Sequence, residues 1–319
     1  MSTDISRIDD EGLGSQPSDR FGEAAIAGAC ALVENDASYE RWVKPLVRAI
    51  KRRRLRLPSL SPTVHRLVSL IESADVDLDE LATAVKGDPV LATRIMGVAN
   101  SSYFRGATEV PDVRDALIRM GVREARTIVV VVALRSTVMR SPGLGAAAQT
   151  LWKHSLLTAA AAQEITSELP PWEASGFLAG LVHDLGQLVV LAFASELPAW
   201  QDDGAAPSDS TVAQISRATH APLGAMVLAS WGFPEKFCDA VMGHHSSSEL
   251  AGHEEGLLAA AIELAHGIAR QIEAGWPDET GKLDPPLLAL AERLGVAPER
   301  LCDVAAEAEA SFETLSKLS

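Results

Sequence analysis

The sequence predicts an all-α protein made of two packed helical lobes. Three observations carry that reading. Apolar residues recur at helical spacing from Pro58 onward, capping residues stand where the periodic runs begin and end, and no useful stretch alternates apolar with polar. Hydrophobic residues make up 47% of the 319 positions. That is enough for a sizeable core, and the length allows one large domain or two lobes of ordinary size.

The elements follow in order. "FGEAAIAGACALVEN" reads as a short helix inside an acidic N-terminal segment, 1–50, whose first twenty residues are rich in Gly, Ser and Asp and are expected to be disordered. In "SPTVHRLVSLIES", Ser61 is an N-cap and Pro62 takes the first helical position, with Val64, Leu67, Val68 and Ile71 forming an apolar stripe. The next helix is capped by Asp77 or Asp79 and stopped at Gly87. Asp88 and Pro89 open another, with Val90, Leu91, Ile95, Val98 and Ala99 on its apolar face, ended by Asn100 and Ser101. Asp112 and Gly121 bracket a further helix. The run "TIVVVVAL" (Thr127–Leu134) favours a strand by β-branched propensity. It sits in about seventeen residues without a turn signal between helices, so it is predicted to be a buried helix.

"SPGLGAAAQ" (Ser141–Gln149) is the small-residue joint, which places one helical lobe at 51–145 and a second at 146–275. An extension, 276–319, follows with two amphipathic helices. Leu287, Leu288, Leu290 and Leu294 mark the first, and Leu301, Val304, Ala308, Phe312 and Leu315 the second. They either pack on the core or offer a dimer or partner surface.

Charge excludes some function classes. A net charge of −15 and a pI near 5.0 argue against a nucleic-acid binder working through bulk charge. The distribution is uneven. Residues 1–40 carry nine acids and two bases, whereas 41–66 carry nine bases and no acid. Within the "KRRRLR" run, Arg52, Arg53 and Arg54 either contact a nucleotide phosphate or acidic partner, or form a solvated face that offsets the acidic tail. Cys30, Cys238 and Cys302 lie far apart without C-x-x-C spacing, as in a reduced cytoplasmic protein. The polar start is not a signal peptide, and "TIVVVVAL" is too short to cross a bilayer, so no membrane association is expected.

Five histidines form an ordered series: His154, His183 beside Asp184, His220, then His244 with His245. Imidazole and carboxylate together suit iron, manganese, zinc or nickel, and more than four such ligands favour a six-coordinate ion over tetrahedral zinc. The other reading is a buried polar pocket in which these groups hydrogen-bond one another, since burial makes partners nearly compulsory. Adjacent pairs such as His183–Asp184 and His244–His245 can reach one point if a helix end faces it. His65 and His253 fall on exposed faces and take no role.

The motifs "LPSLSPTVHRLVSLI", "DPVLATRIMGVANSSYF", "LWKHS", "GFLAGLVHDLGQLVV" and "THAPLGAMVLASWGFPEKFCDAVMGHH" resemble, in content and order, the HDOD domain, the HD-related output domain of bacterial signalling proteins. The resemblance runs from about Arg54 to His266 and implies a C-terminal lobe like the HD phosphohydrolases. It carries the H…HD…D pattern of the catalytic relatives onto His154, His183 and Asp184. The H…HH pattern of the cyclic-dinucleotide phosphodiesterase branch falls on His220, His244 and His245. Three departures stand out. Gln187 occupies the place of a frequent lysine, no Gly-Tyr-Pro motif follows His245, and His266 stands near the closing aspartate as a further candidate ligand. Neutral Gln187 cannot clamp a phosphate as lysine would, and loss of the aspartate removes a metal ligand. The resemblance therefore implies a regulatory protein without catalytic residues, expected to stand alone because no receiver or GGDEF-like domain is attached. Its partner would be a bacterial signalling protein or a small second messenger. The competing readings are a metal-dependent phosphohydrolase or cyclic-dinucleotide phosphodiesterase, and a structural scaffold.

Overall fold

The computed structural model describes residues 19–71, 77–101, 104, 109–138, 145–196, 208–276 and 284–318. Among them every regular element is helical and no strand occurs. The α-helices in chain order are α1 (Asp19–Asn35), α2 (Glu40–Lys51), α3 (Pro62–Ile71), α4 (Leu78–Lys86), α5 (Pro89–Ala99), α6 (Val113–Met120), α7 (Val122–Val138) and α8 (Gly145–Thr166). They continue as α9 (Gly176–Val182), α10 (Leu185–Glu196), α11 (Asp209–Ser230), α12 (Glu235–Met242), α13 (Glu254–Glu273), α14 (Pro285–Leu294) and α15 (Pro298–Leu318). The expected disorder of the first twenty residues falls mostly outside the described residues, which begin at Asp19 with α1.

Local chemistry sets the helix ends. The Ser61 hydroxyl accepts from the Val64 N–H at 3.2 Å. Asp77 caps α4, and Asp88 accepts from the N–H groups of Val90 and Leu91 ahead of Pro89. Asp112 caps α6, which stops at Gly121 with φ 82°, a left-handed value that disfavours side chains. Asn100 ends α5, and its side-chain oxygen accepts from Val110 N–H at 3.0 Å, tying down the chain ten residues on.

Contacts divide the chain into two compact units, and each is built from three separated segments. One comprises the described parts of Met1–Pro58, Ser141–Ala148 and Val182–Glu263. The other comprises those of Ser59–Arg140, Gln149–Leu181 and Leu264–Ser319.

In the first unit α11 is the central helix, with α1, α10 and α12 packed against it. Phe21, Leu46, Ile215, Leu223 and Phe237 are fully buried there. Pro222 has no N–H to return to the Ala218 carbonyl. α1 approaches α11 against that same carbonyl, at Gly28, where an added Cβ would lie 2.2 Å from the oxygen. The approach of α10 is closer still. A Cβ on Gly186 would lie 1.9 Å from the His220 carbonyl oxygen and 2.6 Å from Gly224 N.

In the second unit α7 packs against α3, α5, α6 and α15. Val129 through Leu134 are each at most 3% exposed. That enclosure explains why a run with strand propensity is helical: neighbouring helices surround it, and its backbone bonds are closed within its own segment. The C-terminal helices belong to this unit. Leu287 of α14 packs where Gly267 leaves room, and Leu301, Val304, Ala308 and Leu315 of α15 are buried, while Phe312 is half-buried. Two positions differ from the periodic reading. Val90 is 64% exposed and Leu288 37%, because each neighbours a buried residue (Leu91, Leu287) and adjacent helical positions point about 100° apart. Among the described residues one stretch, Gly176–Glu196, is apolar and long enough by composition to cross a membrane. It is mostly buried and is broken into α9 and α10 at His183–Asp184.

Packing at α10 and α11 makes a testable contrast. Gly186→Ala should destabilise the protein by about 1–3 kcal/mol, because backbone, not a flexible side chain, blocks the new methyl. Gly97→Ala, exposed on α5 with nothing near its Cβ position, should stabilise by about 0.5–1 kcal/mol. Urea unfolding of both variants reads the difference, and equal effects would contradict the close approach.

Candidate functional site

Three chain features of the first unit converge. Helix α9 ends at Val182 and α10 starts at Leu185, so His183 and Asp184 occupy the turn between them. Helix α12 ends at Met242, and His244 and His245 follow in a second turn. His220 projects from the middle of α11. Helix ends therefore present the two adjacent pairs to one point, as their pairing in the sequence suggested. Gly186 permits this, because α10 lies close enough to α11 to set Asp184 against His220.

The geometry is tight. Asp184 Oδ2 lies 3.2 Å from His183 Nε2. Its Oδ1 lies 3.2 Å from His220 Nε2 and 3.9 Å from His244 Nε2. His220 Nε2 is 3.4 Å from His244 Nε2 and 3.0 Å from His245 Nε2. The opposite ring nitrogens are held by backbone: His220 Nδ1–H donates to the Ser216 carbonyl at 2.8 Å and His244 Nδ1–H to the Val241 carbonyl at 2.6 Å. These bonds assign both rings the tautomer whose Nε2 carries a lone pair, and they turn both lone pairs toward Asp184.

Burial controls the charges. His183, Asp184, His220 and His244 are each at most 2% exposed, whereas His245 is exposed. Burial alone pushes the Asp184 carboxyl up. The charge and hydrogen bond of His183 outweigh it, with His220 and His244 adding, and hold the carboxyl well below the usual carboxylate range. Burial pushes His220 down, and the attraction of Asp184 only partly offsets it. His244 is held well below the ordinary imidazole value by burial first, then by repulsion from His183, His245 and His220. The result is a carboxylate held ionised beside His183, with His220 and His244 favouring their neutral forms.

This donor set fits a divalent metal. Around one cation with bonds of about 2.1 Å, adjacent ligand atoms stand about 3.0 Å apart in an octahedron and about 3.4 Å in a tetrahedron. His220 Nε2 keeps separations of 3.2, 3.4 and 3.0 Å from Asp184 Oδ1, His244 and His245. The carbonyls of Ser216 and Val241 supply the outer acceptors that such ligands need. His183 bonds the other carboxylate oxygen and fixes its rotation.

His154 and His266 lie in the second unit, on α8 and α13. His154 Nε2 is 3.1 Å from His266 Nδ1 and 3.4 Å from the Thr158 hydroxyl, and its Nδ1 faces Glu273 Oε1 at 3.1 Å. Glu273 was not foreseen; 119 positions separate it from His154, and no local pattern announces such a pair. The basic run divides. Arg53, at φ 51°, turns back to Asp19 through two contacts of 2.9 Å. Arg52 and Arg54 line a surface cavity in the first unit. His65 and His253 are exposed, as the sequence suggested.

Comparison with known proteins places these features. The family model for the HDOD domain matches residues 57–247. A Geobacter sulfurreducens HDOD domain protein is 20% identical, with TM-score 0.63, covering 93% of this chain and 99% of that one. A Shewanella amazonensis protein provisionally called a metal-dependent phosphohydrolase is 22% identical, with TM-score 0.60, covering 90% and 99%. A Marinobacter aquaeolei protein provisionally called a signal transduction protein is 21% identical, with TM-score 0.62, covering 83% and 59%. These likenesses show the shared fold. An uncharacterised Treponema pallidum protein is 23% identical over 272 residues, and the chain spans about half of that relative's length (51%).

The cluster predicts a pH dependence. The folded pKa values of His220 and His244 lie below the unfolded value of 6.5, so below that pH the unfolded chain binds protons that the folded chain refuses. Their contribution is present above pH 6.5 and is lost as pH falls. Asp184, lowered from 3.8, keeps its own contribution until the solution is more acidic than that. Denaturant-measured stability should therefore decline on acidification from neutrality, and His244→Gln should flatten the decline. An identical slope in the variant would contradict the assignment.

Proposed function

The chain belongs to the HDOD domain family, and from that premise we propose that it is a regulatory protein that binds a protein partner or a small ligand and does not hydrolyse phosphoesters. The observation that carries this reading is the burial of the site. Four of the five converging side chains are at most 2% exposed, which leaves His245 as the exposed member and little surface at the carboxylate for a phosphoester to reach. Two substitutions support it. Gln187 supplies no charge to a phosphate. His266, at the place of the closing aspartate, meets His154 instead of offering a carboxylate. The similarity to a protein called a signal transduction protein supports the regulatory role, and a bacterial signalling protein or small second messenger is its proposed partner.

Within this reading His220, His244, His245 and Asp184 would hold a divalent cation, with His183 orienting the carboxylate. Nitrogen and oxygen donors without thiolate suit iron, manganese, zinc or nickel. A bound cation would supply charge that locks the two turns to α11, and Lewis acidity toward any oxygen that reached it.

The second reading is a metal-dependent phosphohydrolase, including a cyclic-dinucleotide phosphodiesterase. The ligand-like donor separations favour it, as does the similarity to a protein called a metal-dependent phosphohydrolase. Elemental analysis and turnover of cyclic dinucleotides and generic phosphoesters, with added iron or manganese, decide between the two. The regulatory reading expects background turnover in the wild type. It also expects His183→Ala to lose roughly 1–3 kcal/mol of stability through a broken buried pair. Robust metal-dependent turnover that disappears in His183→Ala would overturn it. A variant with both His220→Ala and His244→Ala should lose the metal, and retention of a full complement would place that metal elsewhere.

A further inference from the structure

A cavity of about 340 Å³ opens in the first unit between the end of α2 and the outer face of α10. Arg48, Arg52, Arg54 and Arg56 line it, with Phe193 and Glu196 on the α10 side. All four arginines are exposed, and Glu196 is paired to Arg56 at 3.0 Å. The chain beyond α2 is held in place by backbone and side-chain bonds. Arg54 N–H donates to the Ala49 carbonyl at 2.8 Å, and the Trp231 indole N–H to the Pro58 carbonyl at 2.8 Å.

The bland account of these arginines is that they offset the negative end of α2. That end is worth about half an elementary charge. Among the described residues the lining carries four guanidiniums and one carboxylate, more positive charge than the helix end needs, in a chain whose net charge is −15. The surplus surrounds a concavity rather than coating a convex face, and Val189, Ala192 and Phe193 give it an apolar wall. Guanidiniums bind phosphate oxygens in pairs and need no deprotonation to do so. A half-buried phenyl ring offers a stacking surface to a planar base. The volume lies in the range of small-ligand sites, about 300–1,000 Å³.

We propose that this cavity binds a nucleoside phosphate, with the phosphates on Arg48, Arg52 and Arg54 and the base against Phe193. The site is distinct from the His–Asp cluster. The inference rests on the reading of the chain as a ligand-binding protein and gives that reading a ligand class. A flexible acidic peptide would be matched by the charge but not by the aromatic wall.

Fluorescent ATP and GTP analogues titrated into the full chain test it, with pyrophosphate and polyglutamate as competitors. Expected are saturable binding that weakens with ionic strength, and affinity for a nucleotide at least about tenfold above that for pyrophosphate, the increment a stacked base contributes. The double variant Arg48→Glu, Arg54→Glu, at exposed positions, should lose binding by at least tenfold while melting like the wild type. Phe193→Leu should erase the preference for nucleotide over pyrophosphate. No binding at low ionic strength, or binding unaffected by the arginine reversals, would overturn the site. Pyrophosphate matching the nucleotides, or polyglutamate displacing them more effectively than pyrophosphate, would overturn the ligand class. Any of these failures leaves the regulatory reading standing, because its own readouts are turnover and metal content.

Discussion

The Asp184 carboxylate is an ionised group with 1% exposure, and an isolated charge at such depth would neutralise itself rather than stay ionised. It stays ionised chiefly because His183 bonds it, while His220 and His244 beside it are aimed by bonds to backbone carbonyls. Much of the first unit follows from that requirement. α9 must stop before His183, α12 must stop before His244, and α10 must come within backbone contact of α11. Gly186 makes the last possible. A methyl group there would hold the helices apart and withdraw the carboxylate from His220.

Much of this architecture was legible because the signals are short-range. Ser61, Asp77, Asp88 and Asp112 act on N–H groups two or three residues ahead, so the sequence contains both partners. The helical state of the β-branched run in α7 was legible for a different reason: its length and its helical neighbours left a strand without a ladder to join. The ordered series from His154 through His183, Asp184 and His220 to His244 and His245 suggested one pocket, and in the first unit His183, Asp184, His220, His244 and His245 come together. What could not be read are partnerships across long separations. Glu273 on His154, Asp19 on Arg53 and Phe193 beside the arginines depend on which helices meet, and nothing adjacent in sequence encodes that. The carbonyl partners of His220 and His244 lie four and three residues back, and so belong to the short-range signals.

On the proposed reading the site keeps metal-binding donors in surroundings that restrict access, and these are separable properties. Metal affinity depends on a few lone pairs at fixed separations; turnover depends in addition on an open position and a path for substrate. A protein can lose the second and keep the first, in which case the ligand set contributes to the fold. The first turn of α10 meets the cluster, and Phe193 on the same helix, about 12 Å from Leu185, faces the arginine cavity. One rigid element thus touches both charged features of this unit.

Each compact unit is assembled from three stretches of chain that alternate with those of the other. During synthesis the first unit lacks part of its chain until residue 263 has emerged, and the second until its segment from Leu264 onward has followed. The stretch that matches the family model, 57–247, contains neither unit whole. Proteolytic nicking between segments would therefore release no autonomous piece, and a fragment trimmed to the matched stretch would present unsatisfied apolar faces to solvent. Each unit depends on chain segments that flank parts of the other, and neither can be cut out as one continuous module.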